Sequence, residues 1–135
     1  MSEEYVIPDG LHYTEEHEWA KVQEDGIVVV GVTDYAQKAL HEIVYVELPE
    51  VGGDAEYMGF IGALESVKAV SDMNCPVAGE ILEVNEDLLD SPELINEDPY
   101  GEGWIAKIKP SDLQGDLLNL MEADDYRKHV AEQEH

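Results

Sequence analysis

The stretch Glu65-Ser66-Val67-Lys68-Ala69 decides the fold that we predict for this chain. Residues 57–64 before it and residues 70–75 after it are short apolar runs, and a small polar segment joins them. Two such runs with a short connection are typical of a β-hairpin. Lys68 then lies at or beside the tip, and it is the only lysine or arginine in residues 39–106. We therefore expect a solitary amine presented to solvent on a β-bend.

The surrounding sequence predicts further strands and one internal helix. Asp25-Gly26 separates residues 12–22 from the β-branched run 27–32, which predicts an opening hairpin. Thr33-Asp34 is typical of a helix start, because Thr33 can cap the first turn and Asp34 lies near the positive end of the helix dipole. Residues 79–84 and 104–109 are two more candidate strands, and we read the acidic stretch 86–98 as a loop.

The last part of the chain changes to a helical pattern. Its apolar residues recur at helical spacing, which predicts one short helix followed by a C-terminal helix; they are Leu113, Leu117, Leu118, Met121, Tyr126 and Val130. We find no linker, and the length suits one domain. We therefore expect residues 1–135 to form a single domain, with a core of about residues 12–110 and a helical tail of about residues 111–135.

The composition restricts the classes of partner. Seven Lys and Arg against 32 Asp and Glu give a net charge of −25, which repels nucleic acid and anionic lipid. No apolar stretch is long enough to span a bilayer, and the acidic N-terminus has no signal or transit character. Cys75 is the only cysteine, so an internal disulfide is excluded. We expect a cytoplasmic chain that docks against basic protein surfaces, with no nucleic acid or membrane partner.

Several blocks of the chain together resemble the glycine cleavage system H-protein family. The blocks are Glu65-Ser66-Val67-Lys68-Ala69, His17-Glu18-Trp19, and residues 31–37, 46–52, 76–80, 83–85, 91–96 and 99–104. They follow one another in the order and spacing of that family from Tyr13 to about Pro110. The resemblance implies a mostly β fold, a barrel-sandwich hybrid of two antiparallel sheets similar to lipoyl domains, with a short internal helix and C-terminal helices.

The attachment motif fits less well with other classes of carrier protein whose lysine is acylated. Biotin carriers have Met on both sides of the lysine, whereas Lys68 lies between Val67 and Ala69. Lipoyl domains of 2-oxoacid dehydrogenases commonly have Asp before the lysine. Together with the flanking blocks, these differences favour the H-protein family.

The resemblance implies that Lys68 carries lipoate in amide linkage and that the chain is a carrier, not an enzyme. In the family, the carrier takes the aminomethyl group and reducing equivalents from a pyridoxal-phosphate glycine decarboxylase. It delivers them to a tetrahydrofolate-dependent aminomethyltransferase and to dihydrolipoyl dehydrogenase. A lipoate ligase or lipoyl transferase is the expected modifying partner. Two alternatives remain open: a lipoyl relay that donates lipoate to other enzymes, and an acidic interaction protein that is never modified.

The resemblance also assigns the residues around the arm. Glu65, Ser66, Val67 and Ala69 complete the attachment motif, and Glu65 and Ser66 form the surface that the lipoylating enzyme recognises. Glu18 and Asp72 are candidate neighbours of the cationic aminomethyl group. Two positions depart from the family pattern, since His41 replaces a frequent helix-ending Gly and Met58-Gly59 shifts the glycine of the next turn.

The sequence gives little support for a nucleotide-binding site, a metal site or a reactive cysteine. Residues 101–106 match a Gly-x-Gly-x-x-Ala nucleotide fingerprint, but that motif requires a strand before it and a helix after it, and here a turn precedes a strand-like run. The five histidines show no helical i, i+4 pair and no Cys-x-x-Cys partner, so we expect no metal site. Cys75 is interpreted as a small packed strand residue.

Overall fold

The computed structural model describes residues 5–133, which form nine strands and five helices. The strands are β1 (His12–Tyr13), β2 (Glu18–Val22), β3 (Val28–Val32), β4 (Ile43–Glu47), β5 (Asp54–Ala55), β6 (Phe60–Ser66), β7 (Val70–Asn74), β8 (Gly79–Val84) and β9 (Ala106–Pro110). The helices are α1 (Asp34–Leu40), α2 (Asp87–Asp90), α3 (Leu94–Glu97), α4 (Leu113–Leu118) and α5 (Ala123–Gln133). Within this described part of the chain, no helix is long and apolar enough to cross a membrane.

The strands form two separate antiparallel sheets. The first has six strands in the order β1-β2-β3-β9-β8-β5, and the second has three in the order β4-β6-β7. Their inner faces share one apolar core, because Val30 and Ile108 of the larger sheet and Val46 and Leu64 of the smaller sheet belong to one buried cluster. The arrangement is a sandwich rather than a closed barrel. The prediction of a mostly β protein with two antiparallel sheets, an internal helix and C-terminal helices is confirmed.

A second, largely aromatic cluster attaches helix α5 to the sheet. Tyr13 and Tyr126 are fully buried and stack with ring centroids 4.6 Å apart, and Trp19 is 1% exposed beside them. Gly31 pairs with Trp19 across β2 and β3, and a Cβ at this position would lie only 2.7 Å from the indole ring. The tail is therefore packed on the strands by large rings that leave no room for a side chain at Gly31.

Two local predictions from the sequence are confirmed. Strands β2 and β3 pair as the expected hairpin, and Gly26 supplies the positive φ of 86° that their connection needs. Helix α1 begins after Thr33, whose Oγ1 accepts a hydrogen bond from the Ala36 amide. Both features follow from short-range turn and capping chemistry that the residue types determine.

The interpretation of residues 86–98 as a loop is wrong. The stretch contains the single-turn helices α2 and α3, and each of them places one apolar side chain in the core, Leu88 and Ile95, both at 0% exposure. A four-residue helix is too short to show helical periodicity in the sequence. Its conformation depends on this tertiary burial.

The two positions where we expect a departure from the family pattern include non-glycine residues with a positive φ. His41 has φ 66° and ψ −148° at the end of α1, and Met58 has φ 58°. A positive φ with this ψ is almost exclusive to glycine, and a side chain there costs about 1–3 kcal/mol. The His41 carbonyl accepts a hydrogen bond of 2.8 Å from Asn96 Nδ2, and the Asn96 Oδ1 accepts one of 3.0 Å from the Ile43 amide. Asn96 therefore holds the strained residue in place between α1 and β4.

Replacing His41 with Gly is expected to stabilise the protein. The substitution relieves the backbone strain, while the extra freedom of Gly in the unfolded chain offsets about 0.5–1 kcal/mol. The net expected gain in the free energy of unfolding is about 1 kcal/mol, measured by denaturant titration. His41→Ala is the matched control, since it removes the imidazole and keeps the strain, and it should give no gain. A gain in the Ala variant as large as that in the Gly variant would contradict the strain argument.

Candidate functional site

The β6–β7 hairpin ends in a two-residue turn made of Val67 and Lys68. The last strand pair joins Glu65 to Val70, and the Ser66 amide donates to the Ala69 carbonyl at 2.8 Å. The Ser66 Oγ accepts from the amides of both Lys68 and Ala69, at 3.1 and 3.0 Å. A serine hydroxyl that bonds to the backbone of its own turn is a common way to hold a tight bend. Ser66 therefore fixes the backbone that carries Lys68.

The turn has ordinary backbone angles. Among residues 5–133, the non-glycine residues with positive φ are His17, His41 and Met58, so neither Val67 nor Lys68 is left-handed. A β-branched residue such as Val67 disfavours the positive φ that an Asn-Gly type of turn requires. Val67 is 72% exposed, and its amide lies 3.4 Å from the Glu42 carbonyl.

Lys68 is exposed, and its Nζ donates to the Ala39 carbonyl at 3.4 Å in the last turn of α1. This carbonyl lies at the negative end of the helix dipole, which favours a nearby cation. The contact is long and open to solvent, so it holds the amine weakly. Glu65 and Ser66 are half-buried, whereas Val67 and Ala69 are exposed. The motif thus presents an accessible amine between two small or β-branched neighbours.

Asp72 lies on β7, four residues beyond Lys68, which is about 13 Å along an extended strand. It is exposed and pairs with Ala63 of β6. Val70, Asp72 and Asn74 alternate with the buried Met73 and therefore point to the same, outer side of the hairpin.

Glu18, in contrast, is only 4% exposed. It lies at the start of β2, and its side chain reaches the far end of β7, where Oε2 accepts a hydrogen bond of 3.1 Å from the Asn74 amide. Its Oε1 accepts one of 2.6 Å from the hydroxyl of Thr14. Burial raises the pKa of the Glu18 carboxyl to about 7, although both hydrogen bonds oppose this shift by favouring the charged form.

The structure therefore does not bring Glu18 and Asp72 together at one point. Lys68 lies in the turn before β7, Asp72 and Asn74 follow along that strand, and the Glu18 carboxyl meets the strand at its Asn74 end. The arrangement is a line of polar groups leading from the exposed amine to a buried carboxyl. Asn74 is six residues from Lys68, about 20 Å along the strand.

Sequence reasoning missed the residues that hold Glu18. Thr14 is 3% exposed, and the Asn74 side chain also donates to the Met58 carbonyl at 2.9 Å. Beside them lies a surface cavity of about 400 Å³ lined by Tyr13, Thr14, Glu15, Glu16, Tyr57, Met58, Asn119 and Met121. These residues are distant in sequence, and the spacing of Thr14 and Glu18 alone gives no signal that their side chains meet.

The remaining candidates are structural. Cys75 is fully buried and its Sγ donates to the Val77 carbonyl at 3.0 Å, while burial raises the pKa of its thiol to about 11. A thiol in this state is a poor nucleophile. Among residues 5–133, no group of three or more His, Cys, Asp or Glu side chains is placed to hold a metal ion.

A two-sheet β sandwich that presents one exposed lysine on a rigid hairpin tip defines a carrier domain, a class of protein that bears a covalently attached group. Comparisons with known proteins agree. A family model described as glycine cleavage H-protein matches residues 11–133. The chain therefore belongs to the glycine cleavage H-protein family.

Individual relatives cover nearly the whole chain. The probable glycine cleavage system H protein of Pyrococcus abyssi is 60% identical over 127 residues, which is 94% of each chain. The glycine cleavage system H protein of Marinobacter nauticus is 48% identical over 128 residues, covering 95% of this chain and 98% of the relative. A crystal structure of a glycine cleavage system H protein from Mycobacterium marinum superposes with a TM-score of 0.85 at 38% identity, covering 93% of this chain and 99% of that one.

The family membership confirms the functional class predicted from the sequence. Proteins of this family are lipoyl carriers of the glycine cleavage system, and this chain is a non-catalytic carrier rather than an enzyme. The family carries lipoate on a lysine, and its system implies glycine decarboxylase, aminomethyltransferase and dihydrolipoamide dehydrogenase as partners.

The buried Glu18 carboxyl should make the stability depend on pH. Its pKa of about 7 in the folded protein exceeds its ordinary value, so its stabilising contribution is complete below about pH 4.5 and is lost as the pH rises through 7. The expected loss is roughly 2–3 kcal/mol. Glu18→Gln lacks this ionisation, so its free energy of unfolding relative to wild type should rise by this amount between pH 5 and pH 8.5 in urea titrations. A difference between the two proteins that stays constant with pH would contradict the assignment.

Proposed function

We propose that Lys68 carries lipoate in amide linkage to its Nζ, and that Glu65, Ser66, Val67 and Ala69 present it to a lipoate ligase or lipoyl transferase. The observation that carries this proposal is the exposed Lys68 amine on a two-residue turn whose backbone is held by Ser66 Oγ. The contact with the Ala39 carbonyl is long and exposed, so it does not hinder modification, and amide formation then removes the ammonium charge. When attached, lipoate supplies a strained disulfide that accepts electrons and the aminomethyl group.

The hairpin gives the arm a rigid base. Its two strands are paired through five residue pairs, and β6 is also paired to β4, so the backbone at Lys68 does not move freely while the side chain does. A mobile arm on a fixed base converts encounters with successive partners into local events at raised effective concentration. We propose glycine decarboxylase, aminomethyltransferase and dihydrolipoyl dehydrogenase as those partners, and the cytoplasm as the compartment.

We further propose that Glu18 and Asp72 offer negative charge to the cationic aminomethyl group. Asp72 lies along the outer side of β7 and Glu18 at its end, so an arm laid on β7 passes the first carboxylate on its way to the second. Glu18 is buried, so its charge is less screened by water than that of Asp72. Glu18 is therefore the stronger candidate for retaining the group and excluding water from it.

We also propose that residues 1–135 act as one carrier domain. This is supported by the backbone bonds between Tyr13 and Met121, both 2.8 Å, and by the hydrogen bond of 2.7 Å between the hydroxyls of Tyr126 and Thr33. Both join the helical tail directly to the β sandwich.

Lipoylation at Lys68 is tested by intact mass after incubation with lipoate, ATP and a lipoate ligase. The wild-type chain should gain one lipoyl increment and Lys68→Arg none, since the guanidinium keeps the charge and is not acylated. Lys21→Arg is the matched control, because Lys21 is an exposed strand lysine, and it should be modified like wild type. A bare wild-type chain under conditions that modify another carrier would overturn the proposal.

The role of the two carboxylates is tested on the lipoylated, aminomethyl-loaded carrier. Glu18→Gln should release the group to water about tenfold faster, because a hydrogen bond or ion pair to a charged group is worth about 1.5–3 kcal/mol. Asp72→Asn should have a smaller effect, since an exposed pair contributes about 0–1 kcal/mol. Asp54→Asn, an exposed carboxylate on β5, serves as the control and should match wild type. Equal release rates in all four proteins would exclude both residues.

A further inference from the structure

Three hydrogen bonds join Thr14 and Glu18. The Thr14 Oγ1 donates to Glu18 Oε1 at 2.6 Å and also accepts from the Glu18 amide at 3.0 Å. The Thr14 amide donates to the Glu18 carbonyl at 3.0 Å. Both residues are more than nine-tenths buried. The side chain and backbone of one residue therefore determine where the carboxyl of the other lies.

Among residues 5–133, the hydrogen bond that orients Oε1 of Glu18 comes from Thr14. Oε2 is held by the Asn74 amide, and most of the neighbouring side chains are apolar, among them Val32 of β3, Ile61 of β6 and Met73 of β7. The titratable groups that face it are Glu16, in the same turn, whose charge raises the Glu18 pKa, and Cys75, beyond the end of β7. Among these described neighbours, the hydroxyl of Thr14 is the donor available to Oε1.

We propose that Thr14 is a positioning residue whose hydroxyl orients the Glu18 carboxyl beside the end of β7 and favours its ionised form there, where it meets the lipoyl arm. The contact with the arm rests on the proposed function of Glu18, whereas the orientation of the carboxyl by Thr14 does not. The physical reason is that a hydroxyl already accepting from the Glu18 amide directs its own proton at Oε1, and a hydrogen bond to the charged form favours that form.

The same hydrogen bond would be weaker if Glu18 carried a proton, because a neutral carboxyl oxygen is a poorer acceptor than a carboxylate oxygen. A proton on Oε1 would take the position of the Thr14 proton, which would then need another acceptor in an apolar environment. The geometry at 2.6 Å suits a hydroxyl donating to a carboxylate oxygen. Thr14 thus opposes the effect of burial on Glu18.

The test is a pair of variants that separates the hydroxyl from the shape of the side chain. Thr14→Val keeps the shape and removes the hydroxyl, and Thr14→Ser keeps the hydroxyl and removes the methyl group. The Glu18 carboxyl carbon is followed by NMR in unmodified, 13C-labelled protein between pH 4 and 9, with Glu18→Gln identifying its signal. We expect the titration midpoint to rise by about one pH unit or more in the Val variant and to stay near the wild-type value in the Ser variant. Equal midpoints in all proteins, or equal shifts in Val and Ser, would overturn the proposal.

A measurement on the wild-type chain covers the case in which the Val variant does not fold. The buried Thr14 hydroxyl proton should exchange slowly, and its chemical shift should follow the titration of the Glu18 carboxyl carbon. A hydroxyl proton that titrates with a different midpoint would overturn the proposal.

A separate measurement on the lipoylated, aminomethyl-loaded carrier tests whether Thr14 affects the arm through Glu18. If Thr14→Val shifts the Glu18 titration, the pH below which the aminomethyl group is lost should shift upward by the same amount. If the Glu18 titration shifts but retention of the aminomethyl group does not change, the proposed role at the arm is overturned. The proposed effect of Thr14 on the Glu18 carboxyl would then still stand. Failure of Lys68 to accept lipoate would be seen separately, as a missing mass increment in the wild-type chain.

Discussion

Strand β3 is buried on both of its faces, and the rest of the structure depends on this double burial. Val28 and Val30 face the core between the two sheets, whereas Val29 faces the aromatic cluster under helix α5. Burying a valine side chain contributes about 1.5–3 kcal/mol relative to leaving it exposed, so one strand anchors both layers. Strand β2 pairs along β3 with Glu18 opposite Val32. The backbone position of Glu18 is thereby set by strand pairing and apolar packing, and its carboxyl is then oriented by Thr14 and the Asn74 amide.

The sequence predicts the features that depend on neighbouring residues. The hairpin around Lys68 is visible because two short apolar runs flank a small polar segment. The start of α1 is visible because Thr33 is a capping residue followed by an acidic first turn. The two-sheet architecture is expected from the family resemblance rather than from these local signals. For the exposed amine, sequence and structure agree because an isolated, hydrated lysine at a bend has no reason to be buried.

Features that depend on tertiary contacts are not visible in the sequence. The sequence does not distinguish the acidic residues Glu18 and Asp72, but Glu18 is 4% exposed and Asp72 lies in solvent. The difference arises because Thr14 and the Asn74 amide satisfy the Glu18 oxygens, and neither partner is adjacent to it in sequence. The helices at Leu88 and Ile95 exist because those side chains fill the core. The positive φ of His41 is maintained by Asn96, which is 55 residues away.

One feature of the tail connects distant parts of the chain. The Tyr126 hydroxyl on α5 lies within hydrogen-bond distance of His17 Nδ1 at 2.8 Å and of Thr33 Oγ1 at 2.7 Å. His17 belongs to the turn between Thr14 and Glu18, and it has a positive φ of 74°. The Tyr126 side chain therefore stabilises, through His17, the turn between Thr14 and Glu18. Proteolytic trimming of the final helix would leave Lys68 and its hairpin untouched and yet remove the hydrogen bond that supports the turn before Glu18.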